Sequence, residues 1–586
     1  MPVNFELVLT FIVWLDKTQL LLVFPMKKLL FLSLFVSAFC FGQSLDYTIH
    51  KEIHAQNKGL VVSAHPLASE VGAEILRAGG NAFDASIATQ LALAVVYPQA
   101  GNLGGGGFLV GVKNTGEKFT IDFRETAPEK SSRDMYLDAH GNADTTLSQD
   151  GGLAVGIPGS VAGFFATLKH GVLPMAQLIE PAIKLAQNGF AITKREADLL
   201  NAQKEAFLKH NSQPIPFVKA SPWKSGDLLI QKDLATTLKR IQALGEKGFY
   251  EGTTANLLVK GIKAQNGILT LNDLKNYKVA DRAPLEFPYK GFSIVTMPLP
   301  SSGGILLAQM LKMSSYGHLD QFKFHSPQAM QIMIEAERRA FADRAQYMGD
   351  PDFVKDPTEL LTSEAYLKSR WKSFNHLSAT PSAEVGEIIP VQTESTETTH
   401  ISIIDKAQNA VSVTTTLNGL YGSKVISPET GFFLNNEMDD FSIKPGVPNM
   451  FGAVGGAANA IAPGKRMLSS MTPTIVLKDS KPYLVVGTPG GTTIPTSVYQ
   501  TIVGIIDFKL TPNRAVNAPK FHHQWLPETV LVEKGLNRAA IKALKSKNYI
   551  FQPVNQIGRT EVILVESSSR AIGVADSRGD DSVASE

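Results

Sequence analysis

Apolar residues recur at helical spacing through Pro66–Arg77, and the run stops at Gly79-Gly80. A second helix, apolar on most faces, is predicted over Ala82–Val96 and ends before Pro98. The period then changes. Residues 101–107 form a glycine-rich loop, and short apolar strands follow at 108–112 and 120–123 around a turn at 114–117. From about residue 160 to 380 the spacing is mainly helical, as in Met175–Asn188 and the charged-apolar stretch Pro327–Tyr347. Residues 381–397 follow neither period; they are polar and acidic, and read as an exposed, flexible connector. After them the chain turns strand-rich. No repeat or low-complexity domain interrupts it. Helices and strands in alternation, with a late block of strands, predict an α+β chain whose sheets are covered by helices on both outer faces.

The most informative local pattern follows the connector. Two β-rich runs, 398–404 and 410–418, flank the polar turn from Asp405 to Asn409, which is a hairpin signal. With Ile404 opposite Ala410, Thr398 falls opposite Thr416. Directly opposed Cβ atoms lie about 4.5–5.5 Å apart, so two hydroxyls would converge at the open end of the hairpin. A one-residue slip would separate them. A threonine hydroxyl needs an adjacent base to act as a nucleophile, and a free N-terminal α-amine can serve. That amine has a pKa of about 7.7–8.0. Cleavage between Glu397 and Thr398 would place amine and hydroxyl on one residue. On the hairpin alone, a threonine-rich strand in an ordinary sheet is the commoner reading.

Length and composition narrow the field. A chain of 586 residues exceeds what one hydrophobic core supports, about 250–300 residues, so a composite body is expected. Hydrophobic residues at 44% and charged residues at 19% fit a soluble globular protein. A net charge of +2 offers no electrostatic case for nucleic acid. From Met26 the chain reads MKKLLFLSLFVSAFCFGQ, the basic, apolar and small-residue order of an export signal over residues 26–42. Residues 1–25 carry Asp16 and Lys17 and are taken as an upstream extension; a retained membrane anchor is the competing reading. Lipidation at Cys40 is disfavoured by bulky Phe39. The mature protein is therefore expected to be periplasmic or secreted, with no stable membrane span. Cys40 is the sole cysteine, so a mature chain without it excludes disulfides, cysteine-based zinc sites and cysteine nucleophiles.

Other signals carry little. The glycines at 104–107 follow a helix, precede a strand and lack a Lys-Ser/Thr, the reverse of a phosphate-binding loop. No Gly-x-Ser-x-Gly elbow or His-Glu-x-x-His motif occurs, and His522-His523 are adjacent rather than spaced for one metal. Arg578-Gly579-Asp580 is a tripeptide in a charged tail.

Several motifs in sequence order resemble the γ-glutamyltransferase family. They include Thr398-Thr399-His400, the run from Leu434 to Ser442, Pro445-Gly446-Val447-Pro448-Asn449, Leu468-Ser469-Ser470-Met471-Thr472-Pro473-Thr474 and Gly487-Thr488-Pro489-Gly490-Gly491. Upstream, Gly80-Asn81-Ala82, Asp122-Phe123-Arg124-Glu125, Gly156-Ile157-Pro158-Gly159 and Asp343-Arg344 continue it, and downstream so does the run from Phe521 to Pro527. The resemblance implies a four-layer αββα N-terminal-nucleophile fold. It also implies autocatalytic cleavage before Thr398 into a large segment (43–397) and a small catalytic segment (398–586) that remain together as a heterodimer.

By the same resemblance, Thr416 orients the Thr398 nucleophile and the backbone of Gly490 and Gly491 forms the oxyanion hole. Arg124, Ser469 and Ser470 would hold the substrate α-carboxylate, while Glu437 and Asp440, with Asn418 beside them, would hold its α-ammonium. A ping-pong transfer of γ-glutamyl groups from glutathione or similar amides to water or amino acids is implied, with no metal or organic cofactor. The sequence departs from the family at Phe451, where many bacterial members carry a lid-loop tyrosine whose hydroxyl would reach Asn418. The alternatives are an amidase of the same scaffold acting on glutaryl-type or poly-γ-glutamate substrates, and an uncleaved periplasmic binding protein.

Overall fold

The computed structural model describes residues 47–386 and 398–586; the export signal, the upstream extension, Cys40 and Glu397 lie outside them. Strand β1 (Glu52–Gln56) and β2 (Leu60–Ser63) open the described chain, followed by α1 (Pro66–Arg77) and α2 (Ala82–Val96). Both helices have the predicted bounds, and their ends show why. Pro66 stands at the first position of α1, and Gly79, at φ 92°, turns the chain out of it. Asn81 and Asp84 form a reciprocal cap at the start of α2. Every residue of α2 is buried, as expected for a helix apolar on all sides.

Then come β3 (Gly106–Val112), β4 (Lys118–Asp122), α3 (Met175–Asn188), β5 (Ala280–Arg282), β6 (Leu285–Tyr289), β7 (Phe292–Thr296), α4 (Gly303–Tyr316) and α5 (Pro327–Tyr347). The C-terminal part supplies β8 (Thr399–Ile404), β9 (Ala410–Thr416), β10 (Thr474–Lys478), β11 (Lys481–Gly487), α6 (Thr493–Ile506), β12 (Glu561–Ser567), β13 (Arg570–Val574) and β14 (Ser582–Ser585).

Two seven-stranded sheets result among the described residues, ordered β14–β2–β8–β9–β3–β4–β5 and β1–β13–β12–β11–β10–β7–β6. All neighbours within each are antiparallel. Alternate residues of each strand face opposite layers. Val61, Ile401, Ile403, Val411 and Val413 pack under α1, α2 and α3, whereas Leu60, Val62, Phe108, Val110 and Ala410 meet Val295, Ile475 and Val485 of the second sheet. Val476, Leu484, Val486 and Val562 on that sheet's other face pack against α4, α5 and α6. The layering is helix, sheet, sheet, helix, as the αββα expectation requires.

Three local departures have clear causes. Within the stretch read as mainly helical, the hairpin β6–β7 supplies the edge of one sheet. Within the late strand block, α6 is a fully buried helix rich in Thr, Ile and Val; burial against the sheet overrides their β-propensity. The connector is not exposed throughout its described part: Ser382–Val385 form a helical turn with both end residues buried, and the Ser382 hydroxyl donates to the Trp525 carbonyl at 2.8 Å.

Candidate active site

The hairpin has the predicted register: Ile404 opposes Ala410 and Thr399 opposes Thr415. Its turn is closed by Asp405, whose carboxylate accepts the Asn409 N–H at 2.9 Å and also the first N–H of α2 from Ala82 at 3.0 Å. The turn is thereby docked on a helix N-terminus, where a carboxylate is favoured. At the open end, Thr398 Oγ1 and Thr416 Oγ1 lie 3.5 Å apart, both residues 3% exposed.

Thr416 is held from two sides. Its Oγ1 accepts the Asn418 N–H at 2.8 Å, and its carbonyl accepts Asn102 Nδ2 at 2.9 Å. The glycine loop explains itself here. A Cβ on Gly105 would sit 2.0 Å from the Thr416 carbonyl oxygen, so only glycine lets the loop brace the end of β9. Asn418, at φ 75°, turns the chain away after β9, and its Nδ2 donates to the Asn436 carbonyl at 3.0 Å.

His400 is no rival base. Its ring lies between the sheets against Gly487, within 2.8 Å of Thr414 Oγ1 and 3.2 Å of Ser402 Oγ. Burial pushes its pKa down to about 3, so it is neutral.

Arg124 follows the end of β4 and is completely buried. Its backbone is fixed by Asp122 Oδ1, which accepts the Arg124 N–H at 3.0 Å, and by Tyr277, whose hydroxyl donates to the Arg124 carbonyl at 2.8 Å. One guanidinium nitrogen pairs with Glu437 and the other with Asp440 at 2.5 Å. Burial works against its charge, but Glu437, Asp440 and Glu125 outweigh that and raise its pKa above the ordinary value. Glu437 and Asp440 sit on one short turn, Glu437–Asp440, and burial raises both, opposed chiefly by Arg124. Glu125, behind Arg124, is pushed up by burial, opposed chiefly by Arg124. The three charged anchors expected around the nucleophile are therefore together, and they pair with one another. Glu437 Oε2 is still left without a hydrogen-bond partner among the described residues.

Ser469 is set by the start of α4: Ser302 N–H and Oγ both donate to its carbonyl, at 2.8 and 2.7 Å. Gly490 and Gly491 adopt φ 139° and 55° between β11 and α6, so the positive end of α6 faces the same place. One pocket is lined by Thr398, Thr416, Asn418, Arg124, Glu437, Asp440, Ser469, Ser470, Gly491 and Phe451. Gly490 does not line it, and Glu397 lies outside the described residues. The pocket is also lined by Arg344, Asn449 and Thr492, which sequence reasoning left without a role. The first two lay within motifs already singled out; their side-chain directions depend on packing between distant segments.

Phe451 closes over the site without a hydroxyl. In its place the Met450 thioether stands 3.6 Å from Asn418 Nδ2 and 3.7 Å from Asn436 Nδ2. The lid is fastened further by Asn449 Nδ2 donating to Asp440 Oδ1 at 2.8 Å and Met450 N–H donating to Asp439 Oδ2 at 2.8 Å.

The chain is similar to known proteins over most of its length. The family description "Gamma-glutamyltranspeptidase" matches residues 68–586. The chain is 45% identical over 529 residues to a glutathione hydrolase proenzyme of Escherichia coli (strain K12), covering 89% of this chain and 91% of the relative. A γ-glutamyltranspeptidase structure from Helicobacter pylori superposes with a TM-score of 0.54 at 46% identity, over 55% of this chain and 93% of that one. A cephalosporin acylase structure from Bacillus halodurans matches with a TM-score of 0.80 at 25% identity, over 93% of this chain and 99% of that one. The threonine hairpin, the buried charge cluster and the four-layer fold thus stand in a chain that belongs to the γ-glutamyltranspeptidase family.

Proposed function

We propose that Thr398 is the nucleophile of an enzyme that hydrolyses and transfers γ-glutamyl groups, after the chain has cut itself between Glu397 and Thr398. The observation that carries this reading is the Thr398–Thr416 hydroxyl pair at 3.5 Å, inside a pocket walled by Arg124, Glu437 and Asp440. In the first stage Thr398 Oγ1 attacks the Glu397 carbonyl, the peptide nitrogen leaves as the new α-amine, and water opens the resulting ester. In the second stage that amine takes the hydroxyl proton while Oγ1 attacks the γ-carbonyl of the donor. Backbone N–H groups of Gly490 and Gly491, at the head of α6, stabilise the tetrahedral oxyanion. The protonated amine delivers its proton to the departing amine. Water or an amino acid then attacks the Thr398 ester and frees the hydroxyl.

Substrate recognition follows from charge. The donor's α-carboxylate takes Arg124 with Ser469 and Ser470, a guanidinium being suited to two parallel bonds. Its α-ammonium takes Glu437 and Asp440, where Glu437 Oε2, without a hydrogen-bond partner among the described residues, offers an acceptor. Glutathione has this head group. A glutaryl amide, the substrate of the rival amidase reading, lacks the ammonium and would leave two acids without their partner.

The chain is read as exported, with residues 26–42 as its signal, and as a heterodimer of 43–397 and 398–586. No helix among the described residues is long and apolar enough to cross a membrane. Mass spectrometry of the purified protein tests the scheme: two chains are expected, one beginning at Thr398. Thr398→Ala is expected to remain a single chain without activity. An intact 397–398 bond in fully active enzyme would overturn the mechanism.

A further inference from the structure

The run from Phe521 to Pro527 supplies no residue to the pocket wall, yet one of its side chains joins two parts of that wall. The Gln524 amide nitrogen donates to the Phe451 carbonyl at 3.3 Å. Its oxygen accepts the Thr492 hydroxyl at 2.6 Å and meets His522 Nε2 at 2.9 Å. A main-chain carbonyl can only accept, so the amide nitrogen must face Phe451 and the oxygen is left for the other two groups. His522 Nε2 then carries the ring proton. Burial lowers the pKa of His522 to about 4, so the ring is a neutral donor. Thr492 stands between Gly491 and α6 and lines the pocket. The frame under Gln524 is stiff. Its carbonyl accepts the Leu526 N–H at 2.8 Å, Trp525 N–H donates to His523 Nδ1 at 3.0 Å, and Trp525 Nε1 donates to the Ser382 carbonyl at 2.9 Å.

We propose that Gln524 is a positioning residue that latches the closed lid to the turn carrying the oxyanion donors. The kinetic part rests on the γ-glutamyl reading and extends it; the latch itself does not. The lid is tied to the acidic turn by Asn449 donating to Asp440 and by the Met450 N–H donating to Asp439, both at 2.8 Å. Gln524 ties it at Phe451 to a different part of the wall, beside Gly491. The two ends of the carboxamide have separable effects. The nitrogen holds the lid shut, so its loss lets the donor escape and raises KM while the nucleophile and its charged walls stay in place. The oxygen holds Thr492 next to the oxyanion turn, so its loss lowers kcat.

The test compares mature Gln524→Glu and Gln524→Met enzymes, each checked for chain cleavage. Glutamate keeps an oxygen for Thr492 and His522 but sets a second oxygen against the Phe451 carbonyl; methionine removes both ends. Lid opening is read without substrate, as the rate of chymotrypsin cleavage after Phe451, which is 8% exposed. Cleavage after Leu377, 70% exposed and outside the lid, is the control for general loosening. Proteolysis tracks the population of the open form, and a lost hydrogen bond raises it by about fivefold. Both variants should show that rise after Phe451, with Leu377 cut at the wild-type rate. On L-γ-glutamyl-p-nitroanilide, KM should rise about fivefold in both, while kcat falls about tenfold in Gln524→Met alone. The proposal is overturned if Phe451 is cut at the wild-type rate in either variant, or if Leu377 is cut faster in step with it. It is also overturned if KM rises only in Gln524→Glu, as an added charge would cause, or if kcat falls equally in both. A wild-type enzyme that turns over no γ-glutamyl anilide would remove the γ-glutamyl reaction, while the cleavage rates after Phe451 still decide the latch.

Discussion

Replacing Thr416 with valine keeps the side chain's shape and β-branching and removes one oxygen. That oxygen accepts the Asn418 N–H at 2.8 Å and faces Thr398 Oγ1 at 3.5 Å. The first loss bears on stability. Asn418 is 2% exposed, so its N–H has no ready replacement by water, and a buried donor left unpaired costs about 1–3 kcal/mol. The many remaining contacts of β9 with β8 and β3 hold the fold against that. The second loss bears on catalysis. At 3.5 Å the hydroxyl pair is too long to be a strong bond, so its value lies in orienting the nucleophile. A misplacement near 1 Å costs on the order of a hundredfold in rate. Thr416→Val should therefore lower kcat by about a hundredfold and slow chain cleavage, with the donor KM little changed because Arg124, Glu437 and Asp440 are untouched. Thr416→Ser, which restores the oxygen, should recover most of both. Time courses of cleavage on denaturing gels, beside initial rates on a chromogenic γ-glutamyl anilide, measure the two effects. If Thr416→Val matures on the wild-type schedule and turns over within about threefold of it, Thr416 does not orient Thr398.

The backbone of Gly490 gives a second test: at φ 139° an added Cβ would lie 2.4 Å from Thr493 Oγ1. Gly490→Ala should displace the oxyanion donors and lower kcat by about 10²–10³; unchanged kcat would exclude that role. On the lid, a thioether is a weak acceptor, so Met450→Leu should raise the donor KM by about fivefold at most. Phe451→Tyr, which adds a hydroxyl to the pocket wall, should lower it, and stopped-time assays of hydrolysis against transfer would register any change in acceptor access. Asp439 concerns pH. Burial pushes its pKa up to about 7, opposed by the Ser148 hydroxyl and the Met450 N–H, against about 3.9 in the unfolded chain. Its folded form therefore binds the proton more tightly, and this stabilisation is complete below about pH 4 and lost as pH rises through about 7. The Tm of the wild type should fall relative to that of Asp439→Asn across this window; parallel curves would contradict the assignment.

What was legible in the sequence is what depends on neighbours along the chain. The bounds of α1 and α2 follow from Pro66, Asn81 and Gly79, and the β8–β9 register from the turn Asp405–Asn409 together with the alternation of Ile and Val. The family motifs named the pocket residues, and the structure brings them to one place. What was not legible depends on partners far away. Nothing local in β1 announces that it pairs with β13, or that β14 lies beside β2. The Thr- and Ile-rich α6 reads as strand material until its burial is known. The same holds for Arg344, whose direction is decided by α5 packing over Ser302, and for the pairing of Arg124 with Glu437 and Asp440, more than 300 residues away along the chain.

These long-range partnerships also explain how a cut chain can work. In one sheet β8 and β9 lie between β2 and β3; in the other β10 to β13 lie between β7 and β1. The segments before and after residue 397 are thus interleaved strand by strand, and separating them would break backbone ladders on both sides of each insertion. The chemistry needs that interleaving. Arg124 and Arg344 come from the first segment, Thr398, Glu437, Asp440, Ser469 and Gly491 from the second, and all of them line the same pocket. A cleaved 397–398 bond therefore frees an amine at the nucleophile without freeing either half of the site that must use it.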